Sequence, residues 1–169
     1  TSEQLRDGVG RLAEEIARHY HGRPLTVVGV LTGSLVFLAD LIRQLDMPLR
    51  VGLVQAKSYR GRATTPGPLA AAFDLLPDIA GREILVVDDI FDSGQTLLEV
   101  ISQLDERRPA SVRSAVLLEK IGRSNVSIHP DHVGFRIPDA FVVGYGLDYA
   151  DQYRHLPYVA SLEVEDLND

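Results

Sequence analysis

Hydrophobic positions recur every three or four residues over 2–20. Leu5, Val9, Leu12, Ile16 and Tyr20 form one stripe, with Thr1 or Ser2 placed to cap it, and this predicts an amphipathic helix lying on the core. The period then changes. Leu25 to Leu31 (LTVVGVL) is a short β-branched run, followed by Thr32-Gly33-Ser34 and then by Leu35, Leu38, Leu41, Ile42 and Leu45 at helical spacing, so a strand, a tight turn and a helix are expected. Leu49 to Ala56 reads as a second strand. The stretch 58–73 (SYRGRATTPGPLAAAF) is expected to be a loop, because Gly61, Pro66, Gly67 and Pro68 break any regular element. Loops of this length in a compact domain are uncommon and usually functional, often as lids. Glu83 to Val87 is a third strand that runs through Asp88-Asp89-Ile90-Phe91-Asp92-Ser93-Gly94 into a helix carrying Leu97, Leu98, Ile101 and Leu104. Val112 to Leu118 and Ala140 to Val143 supply two more strands, and Tyr158 to Leu162 a last one. Strands alternating with helices predict an α/β fold built on a mainly parallel twisted sheet flanked by helices.

Length and charge narrow the picture. A chain of 169 residues favours one domain spanning 1–169, large enough to bury a core without metal or disulfide staples. The formal net charge of −7 argues against a general grip on nucleic acid or on an anionic membrane, while leaving local phosphate sites open. With 0 Cys, disulfides, thiolate zinc sites, iron–sulfur clusters and a thiol nucleophile are excluded. No apolar run approaches the length of a membrane span and residues 1–20 are too charged for a signal peptide, so a soluble, cytoplasmic protein is expected. The acidic residues Glu163, Glu165, Asp166 and Asp169 read as a solvated end.

In an open α/β sheet, ligands bind at the carboxyl ends of the strands. The junction Val86 to Thr96 (VVDDIFDSGQT) is the richest of these: a buried strand delivers Asp88 and Asp89, then Asp92, and a Ser-Gly-x-Thr turn opens a helix. Free backbone amides at a helix start carry roughly +0.5 charge and can cradle a phosphate, with the Ser93 and Thr96 hydroxyls as further donors. Phosphate and carboxylates side by side would repel one another unless a divalent cation or a hydroxyl-bearing sugar lies between them. Asp88 and Asp89 can accept from a ribose diol or help hold Mg²⁺.

This junction resembles the phosphoribosyl-diphosphate (PRPP) signature of the type I phosphoribosyltransferases, and Asp92 resembles the acid that the hypoxanthine-guanine branch of that family places against purine N7. The likeness runs from about Val28 to Leu162 and includes Leu31-Thr32-Gly33, Lys57-Ser58-Tyr59, Leu118-Glu119-Lys120 and the block VGFRIPDAFVVGYGLDYADQYRHLPYV in family order. It implies the family's sheet with a small hood formed by terminal segments. It also implies a diphosphate loop at Leu31, Thr32 and Gly33, often built around a cis peptide, with Arg154 as the cation facing diphosphate. Many relatives have Lys where this chain has Thr32, and many have Glu where it has Asp88. Ser93, Gly94, Gln95 and Thr96 would hold the 5′-phosphate; Asp88 and Asp89 would bind the ribose hydroxyls and, with Asp148, Mg²⁺. Lys120 would donate to the purine 6-oxo group, Phe141 would stack on the base, the Val142 carbonyl would accept from an exocyclic amine, and Ser58 and Tyr59 would begin the lid.

The activity implied is purine salvage. The phosphoribosyl group of PRPP passes to hypoxanthine or guanine, giving IMP or GMP and diphosphate, with Asp92 as general acid/base. PRPP and 6-oxopurine bases are the expected partners, nucleic acid and membranes are not, and similar proteins form homodimers or homotetramers. Two alternatives stay open: an enzyme preferring xanthine, and a nucleotide-sensing, RNA-binding regulator on the same scaffold, against which Asp92 and the acidic charge count. Other signals fail on context. Gly8-x-Gly10-x-x-Ala13 lies inside a helical pattern with no strand before it, and no GxxxxGK[ST] occurs. None of the 5 His has a metal spacing, and His129 and His132 are expected in a Pro-bounded turn facing solvent.

Overall fold

The alternation of periods sorts the chain into helices α1 (Ser2–Tyr20), α2 (Leu35–Gln44) and α3 (Gln95–Asp105) and strands β1 (Leu25–Leu31), β2 (Leu49–Lys57), β3 (Ala70–Leu75), β4 (Glu83–Phe91), β5 (Ser111–Lys120), β6 (His132–Ile137), β7 (Phe141–Val143) and β8 (Ala160–Leu162). The computed structural model describes residues 1–57 and 70–163. α1 starts where expected, on a Thr1 hydroxyl that accepts from the Gln4 amide at 3.3 Å. Gly8 and Gly10 lie within it, which disposes of a dinucleotide turn. Among the described residues, no helix is long and apolar enough to cross a membrane.

Six strands form one sheet in the order β3-β2-β1-β4-β5-β6, all parallel except β3. Strand alternation divides the core into two layers. Leu25 and Val27 of β1, Leu85 and Val87 of β4 and Leu117 of β5 pack with α1 and α2 on one face. Val28, Val30, Ile84, Val86 and Val116 pack with Leu97, Val100 and Leu104 of α3 on the other. Because β1 pairs with both β2 and β4, the chain leaves β1 first to one side and then to the other. The crevice of the sheet therefore opens at the carboxyl ends of β1 and β4.

Two strands depart from the sequence reading. β3 occupies Ala70–Leu75, inside the stretch expected to be loop, where it pairs antiparallel with β2 as an edge. Its alanines have little strand propensity, and pairing rather than pattern makes the strand. β6 is absent from the sequence reading although Val133, Phe135 and Ile137 alternate with Gly134 and Arg136, and it takes its register from parallel pairing with β5. His132 opens that strand instead of facing solvent: it is 6% exposed, with Nδ1 at 2.6 Å from Glu15 Oε1 on α1. His129 is exposed, as expected. The expected lid residues Ser58 and Tyr59 lie outside the described residues.

β7 and β8 leave the main sheet and pair antiparallel as a separate ribbon, which is the small hood. The segment between them returns to the body of the molecule. Tyr145 and Leu147 are buried in the layer shared with α1 and α2, and the Tyr145 hydroxyl donates to Asp40 of α2.

Candidate active site

The site is assembled where β1 and β4 end. β4 buries Ile84 to Val87 completely and then brings Asp88, only 7% exposed, and the half-buried Asp89 to the crevice. The turn Asp92-Ser93-Gly94 follows. Gly94 has φ +83°, a left-handed conformation natural to glycine, and a Cβ there would lie 2.4 Å from Val126. With glycine as its N-cap, α3 has no side-chain cap, while Ser93 Oγ accepts from the Gln95 amide at 3.4 Å. A cavity of about 320 Å³ collects Leu31, Gly33, Asp88, Asp89, Asp92, Ser93, Gly94 and Thr96, with Val30, Phe91, Leu97 and Val116 as an apolar floor. Thr32 is exposed beside it, and Gln95 is exposed on α3.

The loop after β1 is set by close packing. The Leu31–Thr32 peptide is cis. Ser34 Oγ donates to the Val30 carbonyl at 2.5 Å, and a Cβ on Gly33 would fall 1.7 Å from Asp89 Oδ2. From the other side, a Cβ on Gly146 would fall 2.2 Å from the Gly33 carbonyl oxygen. Gly146 in turn accepts from Arg154 Nη1 at 2.8 Å, and Arg154 Nη2 lies 2.9 Å from Asp148 and 3.2 Å from Asp151. Arg154, Gly146, Gly33 and Asp89 thus form one continuous stack across the crevice.

The two ends of the acidic run have opposite electrostatics. Burial raises the Asp88 carboxyl well above the usual range, and the neighbouring Asp89 charge adds to this; the Asp89 amide bonds to Asp88 Oδ1 at 3.0 Å and offsets it only in part. Burial also raises Asp89, against bonds from Asp88 and from the Ile90 amide and the charge of Arg154. At Asp92, burial alone would raise the carboxyl, but hydrogen bonds and charges from Arg123 and Lys120 outweigh it and hold the group below its ordinary value. Lys120 Nζ lies 3.0 Å from Asp92 Oδ2 and 3.6 Å from Asp139 Oδ1.

Most of the expected site residues converge. Asp88, Asp89, Asp92, Ser93, Gly94, Thr96, Leu31 and Gly33 share the cavity, and Lys120 joins through Asp92. Phe141 is 40% exposed at the hood, edge-on to Tyr149 with ring centroids 5.5 Å apart, and Val142 lies in register with Ser161. The expected trio of Asp88, Asp89 and Asp148 is not a closed cage: Asp148 is paired with Arg154, and among the described residues no three acidic or histidine side chains are grouped to hold a metal ion. The sequence reading missed Arg123 and Asp139, which meet Asp92 and Lys120. Their signal was a cation three residues beyond Lys120 and an acid two before Phe141.

Residues 1–150 match the family model described as a phosphoribosyl transferase domain. A hypoxanthine phosphoribosyltransferase of Salmonella typhimurium is 41% identical over 165 residues, covering 96% of this chain and 93% of that protein. A bifunctional protein TilS/HprT of Listeria innocua is 38% identical over 165 residues, covering 98% of this chain, which spans about a quarter (26%) of that protein's length. The crystal structure of a hypoxanthine phosphoribosyltransferase from Staphylococcus aureus superposes with a TM-score of 0.93 at 36% identity, over 100% of this chain and 92% of that one.

Proposed function

The chain belongs to the phosphoribosyltransferase family, and from that premise we propose that it transfers the phosphoribosyl group of PRPP to a 6-oxopurine in purine salvage, working as a single domain. One observation carries the choice of base: Asp92 and Lys120 sit side by side at 3.0 Å beside the phosphate-binding turn. An acceptor and a donor at that separation match the N7–H and 6-oxo group of one purine edge. A 6-amino base would set a donor against the Lys120 ammonium.

The start of α3 supplies the 5′-phosphate seat through Ser93, Gly94 and Thr96, with Gln95 beside them. Asp88 and Asp89 face the ribose hydroxyls. The backbone amides of Leu31, Thr32 and Gly33, together with Arg154, face the diphosphate, and Arg154 supplies positive charge where Thr32 offers none. Phe141 offers its exposed ring to the base, and Val142 its carbonyl.

Mg²⁺ fits the donors present. Asp88 and Asp89 are hard oxygen ligands in a buried pair whose one nearby counter-charge, Arg154, bears on Asp89, and an ion that keeps waters and takes substrate oxygens needs no closed protein cage. When bound it would neutralise charge on the diphosphate. Asp148 would contribute after yielding Arg154.

In the transfer, the N9 lone pair forms the new bond to the anomeric carbon. The electron pair of the breaking C–O bond leaves with diphosphate, and the N7 proton passes to Asp92, which its cations keep ionised and able to accept it. The test is a spectrophotometric assay with PRPP, Mg²⁺ and each of hypoxanthine, guanine, xanthine, adenine and uracil. Turnover of 6-oxopurines alone is expected, and the same assay ranks xanthine. No turnover with any base, despite thermal stabilisation by PRPP, would overturn the reading in favour of a regulatory binder.

A further inference from the structure

Four side chains of alternating charge close a square at the mouth of the cavity. Arg123 Nε lies 3.0 Å from Asp92 Oδ1 and its Nη1 3.5 Å from Asp139 Oδ2, while Lys120 spans the same two acids at 3.0 and 3.6 Å. The corners are unequally fixed. Lys120 is 10% exposed at the end of β5, whereas Arg123 and Asp139 are 50% and 53% exposed on the rim. In the reaction proposed above, Asp92 and Lys120 can stay adjacent while one purine edge spans both. Arg123 has no such place, because it occupies the Asp92 oxygen that Lys120 leaves free.

We propose that Arg123 is a latch on Asp92 and that Asp139 is its receiver, onto which the guanidinium moves when a purine enters; this rests on the reading of the site given above. The exchange is short. Arg123 already touches both carboxylates through different nitrogens, so release from Asp92 leaves its charge partnered throughout. Half-exposed ion pairs are individually weak, which makes such an exchange cheap enough to accompany binding. Asp139 stands two residues before Phe141, so the transfer also ties the turn after β5 to the segment that presents the stacking ring. Arg123 and Asp139 are positioning residues: they set how readily Asp92 meets the base and do not take part in the bond exchange.

The experiment is a kinetic cycle with hypoxanthine and PRPP on the intact protein, Arg123→Ala, Asp139→Asn and the double variant. Without its receiver the latch stays on Asp92, so Asp139→Asn is expected to raise KM for the base about tenfold, with kcat and KM for PRPP within about twofold. Arg123→Ala is expected to lower base KM by about threefold, and adding Asp139→Asn to it should change little, a strongly non-additive cycle. Asp139→Glu should restore base KM, which a merely disturbed fold would not allow. An unchanged base KM in Asp139→Asn, an equal increase in the Arg123→Ala background, or a matching rise in KM for PRPP would overturn the latch. If the unsubstituted protein turns over no 6-oxopurine, the reading of the site falls and the latch falls with it.

Discussion

Asp88 and Asp92 are four residues apart on one strand and the turn that follows it, yet their surroundings treat a carboxylate in opposite ways. Asp88 is buried beside another acid, and both its burial and that neighbour disfavour its charge. Asp92 stands at the rim between two cations that favour its charge. The first arrangement stores a demand for positive charge, to be met by a ligand. The second meets the demand from within the protein and can lend the carboxylate out. In the proposed reaction a single acidic motif would provide both a seat for ligand charge and a proton acceptor, with position alone separating the two roles.

The contrast can be broken most severely at Asp92. Asp92→Asn keeps the shape and removes the acceptor, and is expected to lower kcat by roughly 10²–10⁴-fold while KM for PRPP changes little. Equal losses in both constants would return Asp92 to a structural role. Lys120→Ala comes next. Competition between hypoxanthine and adenine should show the preference for the 6-oxo base fall by about 10- to 100-fold, as expected for loss of a charged hydrogen bond; an unaltered preference would refute the assignment.

A smaller effect tests the opposite end of the run. In metal-free buffer near pH 8, Asp88→Asn should stabilise the unliganded protein by on the order of 1 kcal/mol, about 2–4 °C in Tm, while weakening PRPP binding. Asp88 is raised above its ordinary value of 3.8, so its unfavourable contribution is present at neutral pH and fades as pH falls through the raised value. The two melting curves should therefore converge on acidification. Asp92 gives the smallest and opposite signal. Its carboxyl is lowered, so its stabilising contribution is complete above the ordinary value of 3.8 and is lost only as pH falls through the lowered one. Denaturant titrations of Asp92→Asn against the unsubstituted protein should show a gap that is flat from pH 8 to 5 and closes in stronger acid.

Much of this arrangement was legible in the sequence because its parts are local. β1, α1 and the strand-to-helix passage from Val86 to Thr96 follow periodicity and turn chemistry, and the Ser-Gly step fixes where α3 begins. What escaped was held by partners distant in the chain. β3 is a strand because β2 offers a free edge, and its alanines say little, whereas the alternation of Val133, Phe135 and Ile137 in β6 was a local signal masked by the prolines on either side. His132 was placed in solvent because its flanking prolines suggest a turn. The strand that follows carries it instead under α1, where Glu15 meets it 117 residues away. Arg123 and Asp139 went unread because they meet only once β6, pairing Ile137 with Lys120, brings Asp139 beside the end of β5. The family pattern named Lys120 and Asp92 separately, but their shared pairing with those two charges is a property of the folded chain.

The stack of Gly146 on Gly33 also dictates an order of events during synthesis. The two residues are more than a hundred positions apart, so the loop after β1 has no second wall until the ribosome has released the chain through Arg154. By then β1, β2, β4 and β5 can already have paired, and Asp88 and Asp89 lie together with Gly33 beside Asp89 but neither Gly146 nor Arg154 in place. Closing so long a loop adds little entropy per residue but comes late. A nascent chain halted near residue 140 would thus present the Asp88–Asp89 edge of the crevice without Gly146 and Arg154 to close it.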